Sequence, residues 1–191
     1  YLPTKHEKWL TMIKQEIIDS GLIVDILNAK TMEDVFRLLQ GCSFLGSFLA
    51  YQYTIDMNYS PYINFSENDF VKAGIGAIRG IKKCFLCYGN KCEDAIWYVK
   101  EHFNDLQKRY GYTSFHPLLG HEPTLIDLQN CFCETDKYLR AKMPELRIGN
   151  VRIKQKYMPH TDPIQFFFPP KWNIVEMYKY KPIVVPTLFD L

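Results

Sequence analysis

The sequence predicts an all-α domain followed by an extended, proline-rich C-terminal tail, on three observations. Apolar residues recur at three- and four-residue spacing through most of residues 6–140, which places them on one face of successive helices. Cap and stop residues punctuate those stretches at helix-like intervals. Seven of the eleven prolines fall within residues 144–191, where they exclude a continuous helix. The boundary is therefore drawn at a helical domain over 1–146 and a Pro/aromatic-rich tail over 147–191.

The elements follow in order. From His6 to Ser20, Trp9, Ile13, Ile17 and Ile18 share a face, and Gly21 suits the C-terminal cap. A short helix is expected over Leu22 to Leu27. Thr31 with Asp34 three residues later has capping-box spacing for a helix from Met32 to Leu39, which Gln40 and Gly41 end. An apolar helix from Phe44 to Met57 comes next. The stretch Asn58 to Phe65, with Pro61 inside it, breaks the period, and Ser66 with Asp69 repeats the capping-box spacing. Helices are expected from Ala77 to Cys87 and from Cys92 to Lys108, the second with Ile96, Val99, Phe103 and Leu106 on one face. Pro123 suits the first turn of a long helix from Thr124 to Arg140. In the tail, Phe166, Phe167, Phe168 and Trp172 supply apolar surface to bury, so the tail is expected to lie on the helical body.

Composition narrows the class. A chain of 191 residues with 47% hydrophobic and 15% aromatic residues can bury one substantial core. A net charge of +2 is too mild to imply a polyanionic partner, so the distribution matters. Between Phe70 and Cys92 stand five basic residues, Lys72, Arg79, Lys82, Lys83 and Lys91, with no Asp or Glu. No apolar run approaches the roughly 18 residues that span a bilayer, so no membrane partner is expected. The chain opens at Tyr1 rather than Met and reads as a processed fragment, whose upstream segments would not be visible. Cys84-x-x-Cys87 with Cys92 resembles half of a metal-ligand set, but Cys131 and Cys133 stand at i and i+2 on a helix and diverge. The six cysteines are read as reduced, mostly buried thiols of an intracellular protein, with no metal and no cofactor. His116, His121 and His160 lie in expected loops without ligand spacing.

Chemistry concentrates in residues 45–83. A turn at Gly46 opening a helix at Ser47 presents backbone N–H groups to a phosphate, and Gly74 and Gly76 repeat the arrangement ahead of Arg79, Lys82 and Lys83. The plain alternative is a helix–helix turn packed in the core. Asp69 is the first catalytic candidate, because a carboxylate there can stabilise an oxocarbenium-like sugar or orient water. A capping role competes for it. Asp56 is the second candidate. On the expected helix Thr124 to Arg140, Gln129, Asn130, Glu134 and Lys137 recur at a spacing that can line a base-reading pocket, or merely form an exposed face with a Glu134–Lys137 pair. Tyr51, Gln52, Asn58 and Tyr59 complete the candidate base pocket. Arg152, Lys154 and Lys156 make a second basic strip.

Two resemblances sharpen this reading. The order hairpin, helix and Asp69-Phe70-Val71 is similar to the helix-hairpin-helix DNA glycosylases, although the hairpin is only Leu39-Gln40-Gly41 through Leu45-Gly46. Bifunctional glycosylases carry a lysine two residues after the hairpin glycine; Phe48 stands there, so a monofunctional, water-using reaction is implied. More of the chain, roughly residues 35 to 160, resembles the helical domain shared by phage 5-hydroxymethyluracil DNA kinases and alpha-glutamyl/putrescinyl thymine pyrophosphorylases. The blocks that carry this are Phe48 to Gln52 with Asp56 to Ser60, Phe65 to Phe85 with its Gly-x-Gly-Ala-x-Arg-Gly-Ile core, and Leu125 to Arg140. The resemblance implies work on thymine-derived bases in DNA. In that family the kinase activity belongs to a separate P-loop domain, and no Gly-x-x-x-x-Gly-Lys-Ser/Thr occurs here.

The leading expectation is a DNA-binding, base-flipping, glycosylase-like domain acting on a modified pyrimidine. A base-modifying transferase of the pyrophosphorylase type and a non-catalytic DNA-binding module of a larger protein are the alternatives. A plain protein-interaction domain comes last.

Overall fold

A computed structural model describes residues 4–114, 121–147, 168–172 and 174, and those residues are helical with no strands. Helix α1 (Lys5–Met12) continues through a π turn at Ile13–Asp19. It is followed by α2 (Leu22–Asn28), α3 (Met32–Gln40), α4 (Ser47–Asn58), α5 (Ile75–Cys84), α6 (Glu93–Glu101), α7 (Phe103–Arg109) and α8 (Leu125–Lys142). Short 3-10 turns stand at Pro144–Leu146 and Pro170–Trp172.

Local chemistry sets the ends. Thr31 and Asp34 form the expected capping box, with Asp34 N donating to Thr31 Oγ1 and Thr31 N to Asp34 Oδ2, each at 3.0 Å. Thr4 with Glu7 does the same for α1, and at α8 both Thr124 N and Thr124 Oγ1 donate to Asp127 Oδ2. At Ser66 the expectation fails, since no helix begins there. Asp69 N donates to Ser66 O in a turn, and the chain then runs extended to Gly74 because buried Glu93 pins it. Glu93 Oε1 accepts from Ala73 N at 3.1 Å and pairs with Lys72 at 2.7 Å. The helix expected from Cys92 to Lys108 is two helices. His102 leaves helical geometry at the joint, its ring stacked on Tyr98 and its Nδ1 2.9 Å from the Tyr98 carbonyl oxygen.

The core is one cluster built on Val35, Leu39, Ala50, Ile55, Ile81, Ile96 and Leu125. The most extensive helix contact is α5 on α8. As α5 advances from Gly74 to Lys83, its partners on α8 advance from Gln129 to Asp136, so the two helices run in the same direction. Their closeness depends on glycine. A Cβ at Gly80 would overlap the Phe132 carbonyl oxygen, and one at Gly76 would overlap the Cys133 sulfur. Lys83 and Asp136 close the interface as an ion pair of 2.6 Å whose side chains are 2% and 1% exposed, and Arg140 Nε reaches the other carboxylate oxygen at 3.1 Å.

From the C-terminal region, Phe168 and Ile174 are buried, Lys171 donates to the carbonyls of Asn58 and Phe65, and Trp172 reaches Glu67. The rest of the expected tail, with the strip Arg152, Lys154 and Lys156 and with His116 and His160, lies outside the described residues. No helix among the described residues is long and apolar enough to cross a membrane. Cys84, Cys87 and Cys131 are exposed, a correction to the expectation of mostly buried thiols. Cys84 ends α5, Cys87 lies in the following loop, and Cys131 lines an open cavity.

Candidate nucleic-acid interface

The start of α4 meets the start of α5 through Phe48. α4 starts after Gly46 and α5 after Gly74, and neither N-terminus has a side-chain cap. The first in-helix donors are Ala50 N to Gly46 O and Ile78 N to Gly74 O, so the preceding N–H groups point outward without helical acceptors. Phe48 joins the two starts, its ring lying against Gly74, where a Cβ would stand 2.9 Å from Cδ2. Phe48 is nevertheless 52% exposed, and Ile75 across the junction is 68% exposed. The α3–α4 turn adds exposed Phe44 at φ 65°, a left-handed conformation unusual for a bulky residue. One turn along α4 from Phe48, the amide nitrogen of Gln52 is buried without a hydrogen-bond partner.

The outer face of α5 continues this edge. Ile75, Arg79 and Lys82 stand at i, i+4 and i+7, on one side of the helix, whereas Gly76, Gly80 and Lys83 turn toward α8. Sequence reasoning grouped Gly46, Ser47, Gly74, Gly76, Arg79, Lys82 and Lys83 as phosphate ligands. The structure brings Gly46, Ser47 and Gly74 together at Phe48, turns Gly76 onto Cys133 of α8, and leaves Lys82 exposed and Arg79 half-buried. Lys83 is inside the bundle, neutralised by Asp136. The Gly74 N–H is also occupied, donating to Gln129 Oε1 at 3.2 Å.

The expected base-pocket residues do not form one cavity. Tyr51 is buried, edge-to-face with Phe70 at 5.8 Å, and its hydroxyl donates to the Phe70 carbonyl at 3.4 Å. Burial first, and Tyr59 beside it second, push its phenol above the ordinary range. Asn58 is buried and clamps Phe65 through both backbone polar groups, at 2.8 and 3.1 Å. Gln129 is buried with its amide donating to Asn130 Oδ1 at 2.8 Å, and Glu134 is exposed in a 2.5 Å pair with Lys137. Tyr59 is partly buried beside Glu67, and burial followed by that carboxylate raises its phenol.

The carboxylate candidates are exposed. Asp56 stands on the surface of α4. Asp69 lines a groove of about 410 Å³ with Lys30, Thr31 and Trp97. Sequence reasoning missed Glu67, two residues earlier and buried. Its Oε2 accepts from Trp172 Nε1 at 2.8 Å, and its Oε1 has no hydrogen-bond partner. Its partner lies 105 residues away, so no local pattern marks it. Trp172 also stacks on His121, centroids 3.9 Å apart, at the wall of a 700 Å³ cavity between α7 and α8. No three His, Cys, Asp or Glu side chains among the described residues converge as metal ligands.

The family model described as the helical domain of 5-hmdU DNA kinase matches residues 2–148. No curated protein and no solved structure matches the chain.

Proposed function

The chain belongs to the family of helical domains of 5-hmdU DNA kinases, which are DNA-modifying proteins, and from that premise we propose that it is a DNA-binding module working on or beside a thymine-derived base. The observation that carries this is the meeting of two uncapped helix N-termini at Phe48, with Arg79 and Lys82 on the adjoining face. Outward N–H groups at positive helix ends bind phosphate, surface cations add counterion release, and an exposed aromatic ring offers a stacking surface. Further domains of a longer parent protein would then carry phosphoryl transfer. The working compartment on this reading is one that holds DNA.

The test is binding of labelled duplex and single-stranded DNA, with thymine or 5-hydroxymethyluracil at one position, at several salt concentrations. Affinity that falls steeply with salt supports the module; no binding at low salt overturns it.

A second reading makes the domain catalytic, either cleaving the N-glycosidic bond of a flipped base or exchanging a group on the base. It is favoured by Asp69, whose exposed carboxylate lines a groove beside Trp97 and Lys30. Mass spectrometry of the DNA after incubation separates the cases. A released base that vanishes in Asp69→Asn means hydrolysis. A retained base of altered mass means transfer, and unchanged DNA leaves the binding module alone.

A further inference from the structure

The 700 Å³ cavity between α7 and α8 is walled mostly by apolar side chains, among them Phe85, Val99, Phe103, Leu106 and Phe132. Its volume falls in the range of small-molecule sites, which combine apolar walls with a few placed polar groups. Here the polar groups are ordered. Asp127, Cys131 and Thr135 follow one another at four-residue spacing on α8, so a carboxylate, a thiol and a hydroxyl form a seam along one wall. At the Asp127 end stands the His121–Trp172 stack, with rings 23° from parallel.

One of these groups has unused capacity. Both capping hydrogen bonds of Asp127, from Thr124 N and Thr124 Oγ1, go to Oδ2, which leaves Oδ1 for another donor.

We infer that this cavity receives a pyrimidine base of the thymine or uracil type, an assignment that rests on the DNA-binding reading above. The Watson–Crick edge of such a base presents acceptor, donor, acceptor: O4, N3–H and O2. Asp127 Oδ1 accepts from N3–H. The ring stacks on the His121–Trp172 platform, and the substituent at C5 meets the apolar wall. Cytosine fits poorly, because its N3 is an acceptor and would face the Asp127 carboxylate.

The mouth supports a nucleotide rather than a purely apolar ligand. An adjoining cavity of about 530 Å³ shares Cys84, Phe85, Leu106 and Tyr110 with the first and reaches Arg109, whose guanidinium lies 5.9 Å from the Tyr110 ring centre. A sugar-phosphate leaving the base pocket along this path meets a cation seated on an aromatic ring.

The experiment is equilibrium dialysis of the full chain against thymidine, 5-hydroxymethyl-2′-deoxyuridine and 2′-deoxycytidine. These carry no phosphate, so the helix starts and cations of the α4–α5 edge have no charge to hold, and Cys131→Phe separates the cavity from stacking on Phe48. Both thymine-type nucleosides should bind more tightly than deoxycytidine by about tenfold, the factor that about 1.4 kcal/mol represents. Cys131→Phe, which fills the cavity from an exposed position, should weaken nucleoside binding by about tenfold or more while leaving salt-sensitive DNA binding in place. Asp127→Asn should erase the preference over deoxycytidine; since that carboxylate also caps α8, circular dichroism checks its fold and Cys131→Phe decides if it fails. No nucleoside binding, equal binding of deoxycytidine, or binding unchanged in Cys131→Phe overturns the assignment. If DNA still binds in a salt-dependent way, the pocket assignment alone falls; if DNA does not bind at all, both fall.

Discussion

Lys82 and Lys83 are neighbours in sequence and opposites in environment, and the two faces of α5 they belong to divide the molecule's work. Lys82 lies with Arg79 and Ile75 on the outer face, exposed. Lys83 lies with Gly76 and Gly80 on the inner face, its ammonium 2.6 Å from a carboxylate that is 1% exposed. On the inner face nothing has room to change, because helix approach and charge compensation depend on the same few residues. On the outer face Ile75 and Lys82 are exposed and Arg79 is half-buried, which leaves polar and apolar surface available to a partner. A run of basic residues is thus two features: part of a fold and part of a binding edge.

Substitutions should separate the two. The largest effect is expected from Asp136→Ala, which leaves the Lys83 ammonium buried without its carboxylate; about 3–5 kcal/mol of stability should be lost in urea unfolding. Gly80→Ala comes next, because its Cβ would overlap backbone at Phe132 rather than a side-chain tip that can rotate away; about 1–3 kcal/mol should be lost. Glu93→Gln should cost about 1 kcal/mol and change the pH dependence. Burial alone would raise the Glu93 carboxyl, but the Lys72 ammonium and the Ala73 N–H outweigh it and hold the group below its ordinary value. A lowered folded-state pKa means stability present above the ordinary glutamate range and lost as pH falls through and below it. Thermal melts between neutral pH and pH 3 should therefore show a shallower acid decline in Glu93→Gln. The smallest effect on stability, within about 0.5 kcal/mol, is expected from Lys82→Ala, although that change should weaken DNA binding. A stability loss at Lys82 as large as at Asp136 would break the contrast between the faces.

The fold was legible where it is locally encoded. Thr31–Asp34 announces α3, and the three- and four-residue spacing of Trp9, Ile13 and Ile17 announces the first helical segment. It misled where a local pattern met a distant partner. Ser66 and Asp69 have capping-box spacing, yet Glu93, more than twenty residues on, holds Lys72 and Ala73 and delays the helix to Ile75. The break at His102 was hidden because Val99, Phe103 and Leu106 keep an apolar face across it. For the candidate interface, helix starts at glycine could be read as phosphate sites, and Gly46 and Gly74 do open adjacent helices. Gly76 and Gly80 carry the same letter but allow close packing, which only the facing helix reveals. Glu67, Trp172 and His121 were invisible as a group, since their association spans the length of the chain.

The most direct test of the binding edge is the salt dependence of DNA affinity for the double variant Arg79→Ala/Lys82→Ala beside the unmodified chain. The account predicts weaker binding and a log–log slope reduced by about two, with an unchanged melting temperature. An identical slope and affinity in a folded double variant would contradict it and place the DNA elsewhere on the molecule.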